Sequence, residues 1–388
     1  MRLAGRVAHM TGGGSDGWEV YYKARARIAA GERILNLSIG EHDIPTDASI
    51  LKAMHDGALA GSTGYTVGAG KAELRDLIAA RVEARTGVRT TRDNVIVTPG
   101  GQAALFSAHM VLLDTGDRAL YCDPYYATYP GTIRATGAEA VAIATRPERA
   151  FRPDPEAILA KAEGARTLLI TTPNNPTGVI YDRATLEGIA RAVREADLWL
   201  ISDEVYDTQI WDGEHLSPRA LPGMAERTIV LGSLSKSHAM TGSRLGWMIA
   251  PEAVIAAAVD LATNTTYGTP GFIQDAAVFA LNQGPAFEEQ IAAPFRRRRA
   301  LIAPALAGSN RVSIVPSGGG MFVMLDIRAT GLSGEAFALR LLDEEGIAVM
   351  PGESFGAAAA GHVRVAMTIP DEAFAEALAR LGAFADRI

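Results

Sequence analysis

Lysine is scarce in this chain of 388 residues: it stands only at Lys23, Lys52, Lys71, Lys161 and Lys236, the rest of the 37 basic residues being arginine. Four of the five lie in charged or polar helical surroundings, such as Tyr22-Lys23-Ala24-Arg25 and Ala160-Lys161-Ala162-Glu163, and read as surface residues. Lys236 differs. It sits in Ser233-Leu234-Ser235-Lys236-Ser237-His238, among small and apolar residues with no acidic partner nearby in sequence. A lysine that forms an imine must reach its neutral form, and desolvation or a neighbouring cation lowers its pKa to allow that. Lys236 is therefore the candidate nucleophile.

Three further clusters follow short β-rich runs. Pro99-Gly100-Gly101-Gln102 opens a helix with two glycines, so free backbone N–H groups could cradle an anion such as a phosphate. Pro173-Asn174-Asn175-Pro176 offers amide donors to a ligand oxygen, and Asp203-Glu204-Val205-Tyr206 offers a carboxylate and a phenol. Taken singly, each also fits an ordinary turn or helix cap. Together with Lys236 they supply a phosphate cradle, a donor to a phenolic oxygen, a carboxylate for a pyridinium nitrogen and an imine-forming amine. That set matches pyridoxal 5'-phosphate. The steps from Asn175 to Asp203 to Lys236 each span about one strand–helix–strand unit, so the three can line up along one sheet edge.

The elements that would position these groups follow from the pattern between Asn94 and Ala250. Strands are predicted at Val95 to Thr98, Ala119 to Cys122, Ala140 to Ile143, Thr167 to Thr172, Leu198 to Ser202, Thr228 to Gly232 and Leu245 to Ala250, with helices between them. Several are unbroken runs of Val, Ile and Leu, as in strands covered on both faces. Ahead of them come a helix from Gly17 to Ala30, a short strand from Ile34 to Ile39, and helices from Ala48 to Leu59 and Ala72 to Thr86. Past Gln283 the texture changes to helices over Glu288 to Leu306, Gly334 to Glu345 and Asp371 to Ala385. Strands are predicted there at Arg311 to Pro316, Met321 to Asp326, Ile347 to Met350 and His362 to Ala366. The fold class is α/β: a three-layer α/β/α unit with a mostly parallel seven-stranded sheet, plus a smaller α+β domain. The division is 1–35 as an N-terminal arm belonging to the small domain, 36–283 as the large cofactor domain and 284–388 as the C-terminal small domain. Arg296 to Arg299, four consecutive basic residues on a helix, read as a solvated or interface face.

Composition narrows the function. Hydrophobic residues make up 48% and charged residues 21%, which is globular and not disordered. A formal charge of -7 gives no basic footprint for nucleic acid. The single cysteine, Cys122, excludes an intramolecular disulfide framework and a CxxC metal site, and fits a reducing, cytoplasmic setting. Neither an export signal nor a membrane span is expected.

The chain resembles the class I and II aminotransferases, the aspartate aminotransferase-like group of fold type I pyridoxal phosphate enzymes. The residues that carry the resemblance run from Leu37-Ser38-Ile39-Gly40-Glu41 through Tyr65-Thr66-Val67-Gly68 and Leu74-Arg75 to Gly352-Glu353-Ser354-Phe355-Gly356 and His362-Val363-Arg364. Ser233-Leu234-Ser235-Lys236, with Arg244 eight residues on, looks like the family's lysine signature. The resemblance implies that Lys236 forms the internal aldimine and shuttles the α-proton, and that Asp203 pairs with the pyridine nitrogen. It implies that Tyr206 and Asn175 hydrogen-bond the ring oxygen, that Gly101, Gln102, Ser233 and Arg244 hold the phosphate, and that Tyr126 stacks on the ring. Tyr65 would reach the phosphate of a neighbouring subunit, so a homodimer with shared sites is implied. Arg364 would clamp the substrate α-carboxylate with help from Gly40 and Asn175; an ion pair within the small domain is the alternative for Arg364. Trp18 would wall the pocket, or simply occupy an apolar helix face, and Glu19 could meet a cationic side chain.

Two departures from the family pattern stand out. His42 and Ile44 interrupt the expected Gly-Glu-Pro-Asp-Phe run, and no residue is an obvious arginine clamp for a second carboxylate. Within the family the chain is most similar to the arginine-pyruvate transaminase type, on Asp212-Gly213-Glu214-His215, Ser235-Lys236-Ser237-His238, Phe272-Ile273-Gln274-Asp275 and Gly319-Gly320-Met321-Phe322. The expected activity is transfer of an amino group from an L-amino acid to a 2-oxo acid by ping-pong half-reactions. A lyase or decarboxylase on the same fold, or a non-catalytic regulator binding the cofactor or an amino acid, are the alternatives. A nicotinamide dehydrogenase is disfavoured because the Gly12 to Gly17 run follows no strand and lacks GxGxxG spacing. A metal hydrolase is disfavoured because His9, His42, His55, His109, His215, His238 and His362 form no paired spacing.

Overall fold

The computed structural model describes residues 3–12 and 18–388. Residues 13–17 lie outside the described residues, and with them most of the Gly12 to Gly17 run and the first residue of the expected helix from Gly17; the helix seen there is Glu19–Ala29.

Seven strands form the central sheet, in the order Val95–Thr98, Gly246–Ile249, Thr228–Ser233, Trp199–Asp203, Ala165–Thr171, Arg118–Asp123 and Glu139–Ala144. Gly246–Ile249 runs antiparallel to both its neighbours, and the other pairs are parallel. Successive side chains point to opposite faces. Ile96, Leu169, Ile201, Ile229 and Leu231 therefore bury against helices Gly101–Leu112 and Glu252–Thr263 on one side. On the other, Val95, Val97, Val230 and Ile249 meet Ile50, Leu74, Ile78 and Ala276, while Leu168, Ile170 and Leu200 meet Leu186, Ile189 and Val193. Covering both faces with helices gives the expected three layers and explains why these strands lack polar alternation. Because Thr228–Ser233, Trp199–Asp203 and Ala165–Thr171 are parallel neighbours, their following segments open at one sheet edge.

The C-terminal part builds a four-stranded antiparallel sheet, in the order Met350–Pro351, His362–Ala366, Phe322–Asp326 and Ser313–Ile314. Helices Gly284–Leu306, Gly334–Glu345 and Asp371–Arg387 supply Phe295, Ile302, Phe337, Leu341, Phe374 and Leu381 to its core. Val20 and Ala24 of the N-terminal helix join the same core, and Leu35–Asn36 pairs in parallel with Ile347–Ala348. The strand expected from Ile34 to Ile39 shrinks to these two residues. Beyond it, Leu37 still bonds the Ala348 carbonyl and the Ala366 N–H, and from Ser38 the backbone turns off, its N–H and hydroxyl both donating to Asn36 Oδ1.

The four consecutive arginines do not share one environment. Arg296 and Arg297 are exposed, as a solvated face requires, but Arg298 is 3% exposed and Arg299 is half-buried. Four successive helical positions sweep more than half the circumference, so one of them had to point inward.

Candidate functional site

A cleft of about 310 Å³ opens where the strand ends meet the C-terminal sheet. Trp18, Gly40, Gly101, Gln102, Tyr126, Asn175, Asp203, Tyr206, Ser233, Lys236, Arg244 and Arg364 all line it. Of the residues singled out from the sequence for cofactor or substrate, Tyr65 and Glu19 lie elsewhere. Tyr65 is 91% exposed and its ring meets Tyr267 edge-on at 5.0 Å.

Lys236 lies in a one-turn helix, Leu234–Ser237, that leaves the strand Thr228–Ser233. The Ser233 hydroxyl caps that turn by accepting from the Ser235 N–H, and it also lies 2.9 Å from the Leu245 carbonyl. Lys236 Nζ donates to the Gly40 carbonyl. Burial pushes the amine down to about 8, with Arg364 and Arg244 lowering it and Glu41 opposing them. Both conditions named for an imine-forming lysine, desolvation and nearby cations, are met.

This depression has a pH signature. Between about pH 8 and 10.5 the unfolded lysine holds a proton that the folded one has released, so the ligand-free protein gains stability as pH rises through that window. Lys236→Met should flatten that rise relative to wild type, as read from urea unfolding at a series of pH values. An unchanged slope would contradict a depressed Lys236.

Asp203 closes the strand Trp199–Asp203. Its Oδ2 accepts from the Tyr129 hydroxyl at 2.7 Å and its Oδ1 from the Val205 N–H at 3.3 Å. Burial raises its pKa, while both hydrogen bonds lower it, which describes an acceptor able to hold a cationic ring nitrogen. Three residues on, Tyr206 is buried and hydrogen-bonded to Asn175. The neighbouring Asp207 anchors this turn through ion pairs to Arg81 and Arg85.

The two asparagines of Pro173-Asn174-Asn175-Pro176 divide their work. Asn174 Oδ1 accepts from the Thr177 N–H and hydroxyl, building the turn. Asn175 points into the cleft, where its Oδ1 accepts from Arg364 Nη1 at 2.9 Å.

Opposite, helix Gly101–Leu112 presents its N-terminus to the cleft. Gly100 precedes it at φ 84, and a Cβ there would collide with the Arg244 guanidinium, so only glycine lets the two approach. Arg244 donates to the Thr241 carbonyl at 2.8 Å and to the Pro99 carbonyl at 3.5 Å and, among the described residues, pairs with no carboxylate. Helix N–H groups, an unneutralised guanidinium and the hydroxyls of Ser233 and Ser235 together suit a phosphate.

Arg364 settles its own alternative. It is 2% exposed and forms no ion pair among the described residues. Its guanidinium sits between Phe322 and Phe355, 4.1 and 4.4 Å from the ring centroids, and Nη2 donates to the Ser38 carbonyl. Burial lowers its pKa to about 10. A buried cation with aromatic and carbonyl neighbours but no counter-ion is prepared to receive an anion.

Among the cleft residues that escaped the sequence reading are Glu41, Tyr129, Ser235, Thr241 and Phe322. Tyr129 carried a signal, since it stands three residues after Tyr126 at the start of a short helix, Tyr129–Arg134, and so can face the same way. Phe322 carried none, because within an apolar strand it is indistinguishable from core. It nonetheless dictates Gly40, where any Cβ would strike its ring. Trp18 lines the cleft, whereas Glu19 is exposed and does not. The cleft's arginines are Arg244 and Arg364 alone among the described residues, and His42 is half-buried with Ile44 exposed.

Among the described residues no three His, Cys, Asp or Glu side chains gather as a metal site, and no helix is long and apolar enough to cross a membrane.

A buried lysine of lowered pKa, a buried carboxylate and two arginines without acidic partners among the described residues, gathered where the strand ends meet the C-terminal sheet, suit a group-transfer enzyme of the aminotransferase kind. A family model for aminotransferase class I and II matches residues 32–381, and the chain belongs to that family. It is 44% identical to the arginine-pyruvate transaminase of Pseudomonas aeruginosa, over 98% of this chain and 97% of the relative. It is 36% identical to the aspartate/prephenate aminotransferase of Thermus thermophilus, over 90% of each. The aspartate aminotransferase from Thermus thermophilus solved with maleate superposes with a TM-score of 0.91 at 34% identity, covering 98% of this chain and all of the other.

Proposed function

We propose that this chain is a pyridoxal 5'-phosphate-dependent aminotransferase that moves an amino group from an L-amino acid to a 2-oxo acid in two ping-pong half-reactions. The observation that carries this reading is the meeting of Lys236, Asp203, Arg244 and Arg364 in one cleft. The donor set fits the cofactor at each polar point: an N–H and guanidinium cradle for phosphate, Asp203 for the ring nitrogen, Asn175 and Tyr206 for the ring oxygen, and Tyr126 for the ring face. Once bound, the cofactor supplies an aldehyde for capture of amino groups, first by Lys236, and a ring that withdraws electrons from the substrate α-carbon.

The protein's own residues supply the rest. Arg364 orients the α-carboxylate, with Asn175 and the Gly40 backbone beside it. Lys236, neutral near pH 8, takes the α-proton and returns it on the cofactor side. Asp203 keeps the ring nitrogen protonated. A donor with a cationic or neutral side chain is favoured over a dicarboxylic one, because the described residues bring Glu41 to the cleft and no arginine besides Arg244 and Arg364. The relative acting on arginine supports the same direction.

Two finer readings belong with this function. The assignment of 1–35 and 284–388 to a small domain and 36–283 to a cofactor domain is supported by Val20, Ala24 and Leu35 sharing the C-terminal core. A homodimer in which Tyr65 completes the partner's phosphate site is supported by the exposed Leu59, Tyr65, Val67 and Tyr267, apolar area that water leaves uncovered in one chain. A cytoplasmic location accords with the lone, buried Cys122.

The decisive experiment loads the protein with pyridoxal phosphate and screens L-amino acids carrying 15N at the α-amino group, with pyruvate and 2-oxoglutarate as acceptors. The label is expected in alanine or glutamate, with the donor's 2-oxo acid in equal amount. Labelled ammonia, or carbon dioxide, as the product would replace this reading with a lyase or a decarboxylase.

A further inference from the structure

Arg298 lies outside the cleft, on the helix Gly284–Leu306, yet it is among the most polar-bonded buried groups of the C-terminal unit. Nη1 and Nη2 grip Asp43 Oδ1 and Oδ2 at 2.9 and 2.7 Å, Nη1 also donates to the Met367 carbonyl at 2.9 Å, and Nε donates to Asp371 Oδ1 at 2.8 Å. A fork-on-fork pair of this kind fixes orientation as well as distance.

What it fixes is the segment from Ile39 to Thr46. That segment has one side on the C-terminal unit: the Thr368 hydroxyl donates to the Ile39 carbonyl at 2.9 Å, Gly40 abuts Phe322, and His42 meets Phe295 edge-on at 5.2 Å. Its other side is on the lysine loop. Lys236 Nζ donates to the Gly40 carbonyl, the Thr241 hydroxyl to Glu41 at 3.0 Å, and the Thr46 hydroxyl to the Ala239 carbonyl at 2.6 Å. Residues 39–46 therefore form a strap between two bodies, and Asp43 is its charged anchor.

We propose that Arg298 is a positioning residue: by clamping Asp43 it holds the Gly40 carbonyl, Glu41 and His42 over Lys236, setting the amine's hydration and aim. The inference rests on the functional reading above. A slack strap admits water to Lys236 and loosens the carbonyl that receives its N–H. The groups facing the amine are Glu41 and His42 on the strap, Arg244 beyond the lysine loop and Arg364 on the C-terminal sheet. Since burial is the largest influence on Lys236, its loss outweighs theirs and raises the amine's pKa.

The test separates aiming from mere stability by using both acidic partners of Arg298. Asp43→Asn loosens the strap, whereas Asp371→Asn weakens the hold of Arg298, and of its neighbour Arg297, on the helix Asp371–Arg387 and leaves the pair with Asp43 in place. In the loaded enzyme, kcat for Asp43→Asn should fall roughly tenfold or more, the scale of a small misplacement of reacting groups, while Asp371→Asn stays near wild type. In the cofactor-free protein, the pH at which Lys236 becomes reactive to acetic anhydride, read by mass spectrometry, should rise from about 8 toward the ordinary 10.5 in Asp43→Asn only. Wild-type kcat and labelling midpoint in Asp43→Asn, or equal losses in both variants, overturn the proposal. Should Asp43→Asn not fold, Arg298→Lys decides on the same two readouts: intermediate values support the clamp, and wild-type values overturn it. A wild-type protein that binds no cofactor fails the functional reading instead, and leaves the labelling comparison intact.

Discussion

Lys236→Ala is expected to abolish amino-group transfer, with turnover falling by about 10³-fold or more, and to remove the visible absorbance that marks cofactor bound covalently to the protein. The expectation follows from position and not from lysine chemistry in general. Of five lysines, Lys23, Lys52 and Lys71 pair with Asp343, Asp56 and Asp275, and Lys161 donates to the Ala142 carbonyl. Lys236 is the one of the five that lines the cleft, where burial pushes its amine down to about 8. The fold should survive, because truncation removes a buried amine whose charged form is disfavoured there. Circular dichroism and absorbance recorded on the same preparation check both halves of the statement. A folded, yellow, active Lys236→Ala protein would remove the lysine from the mechanism.

Arg364→Met carries the second large effect, and its two readouts should move in opposite directions. The kcat/KM for any amino donor should fall by about 10²- to 10³-fold, the loss of a bidentate, charge-assisted contact in a dry site. Stability of the ligand-free protein should stay level or rise. Arg364 is buried without a carboxylate partner, and burial drags its pKa to about 10, so the unliganded fold bears the cost of an unneutralised charge. Methionine fills the space between Phe322 and Phe355 without that cost. Steady-state kinetics and thermal unfolding on one preparation measure the pair. A marked drop in melting temperature would show that Arg364 serves the fold, and unchanged kinetics would remove it from substrate binding.

The contrast between Arg364 and Arg298 shows where sequence reading stops. Both are buried arginines of the C-terminal unit, yet the run Arg296 to Arg299 pointed Arg298 toward solvent, and no local pattern showed which of the two would lack an acidic partner. Arg298 is saturated by Asp43 and Asp371, residues 255 and 73 positions away, whereas Arg364 finds only Asn175 and the Ser38 carbonyl. The first reads as a clamp and the second as a waiting anion site. That difference belongs to long-range packing.

The strand ends were legible for a different reason. Parallel strands buried on both faces must be unbroken Val, Ile and Leu runs, and the polar residues that follow such runs must lie at the sheet edge. Gly101, Asn175, Asp203 and Lys236 could thus be placed together by counting, as the structure places them. Glu41 and Phe322 could not. One stands on the short loop of a two-residue strand and the other looks like core, and each reaches the cleft only because the C-terminal sheet packs over it.

The sequence by itself determined the family, the α/β layering and the one lysine that stands at a strand end in the cleft, since local pattern and composition suffice for each. The tertiary structure alone decided that Asn175 rather than Asn174 faces the cleft, that Arg364 lacks a counter-ion, and that Asp43 anchors a strap over Lys236. Those facts depend on which distant charges and rings meet. Burial and pairing, which set the energy of a charge, are properties of the packed chain and not of its local stretches.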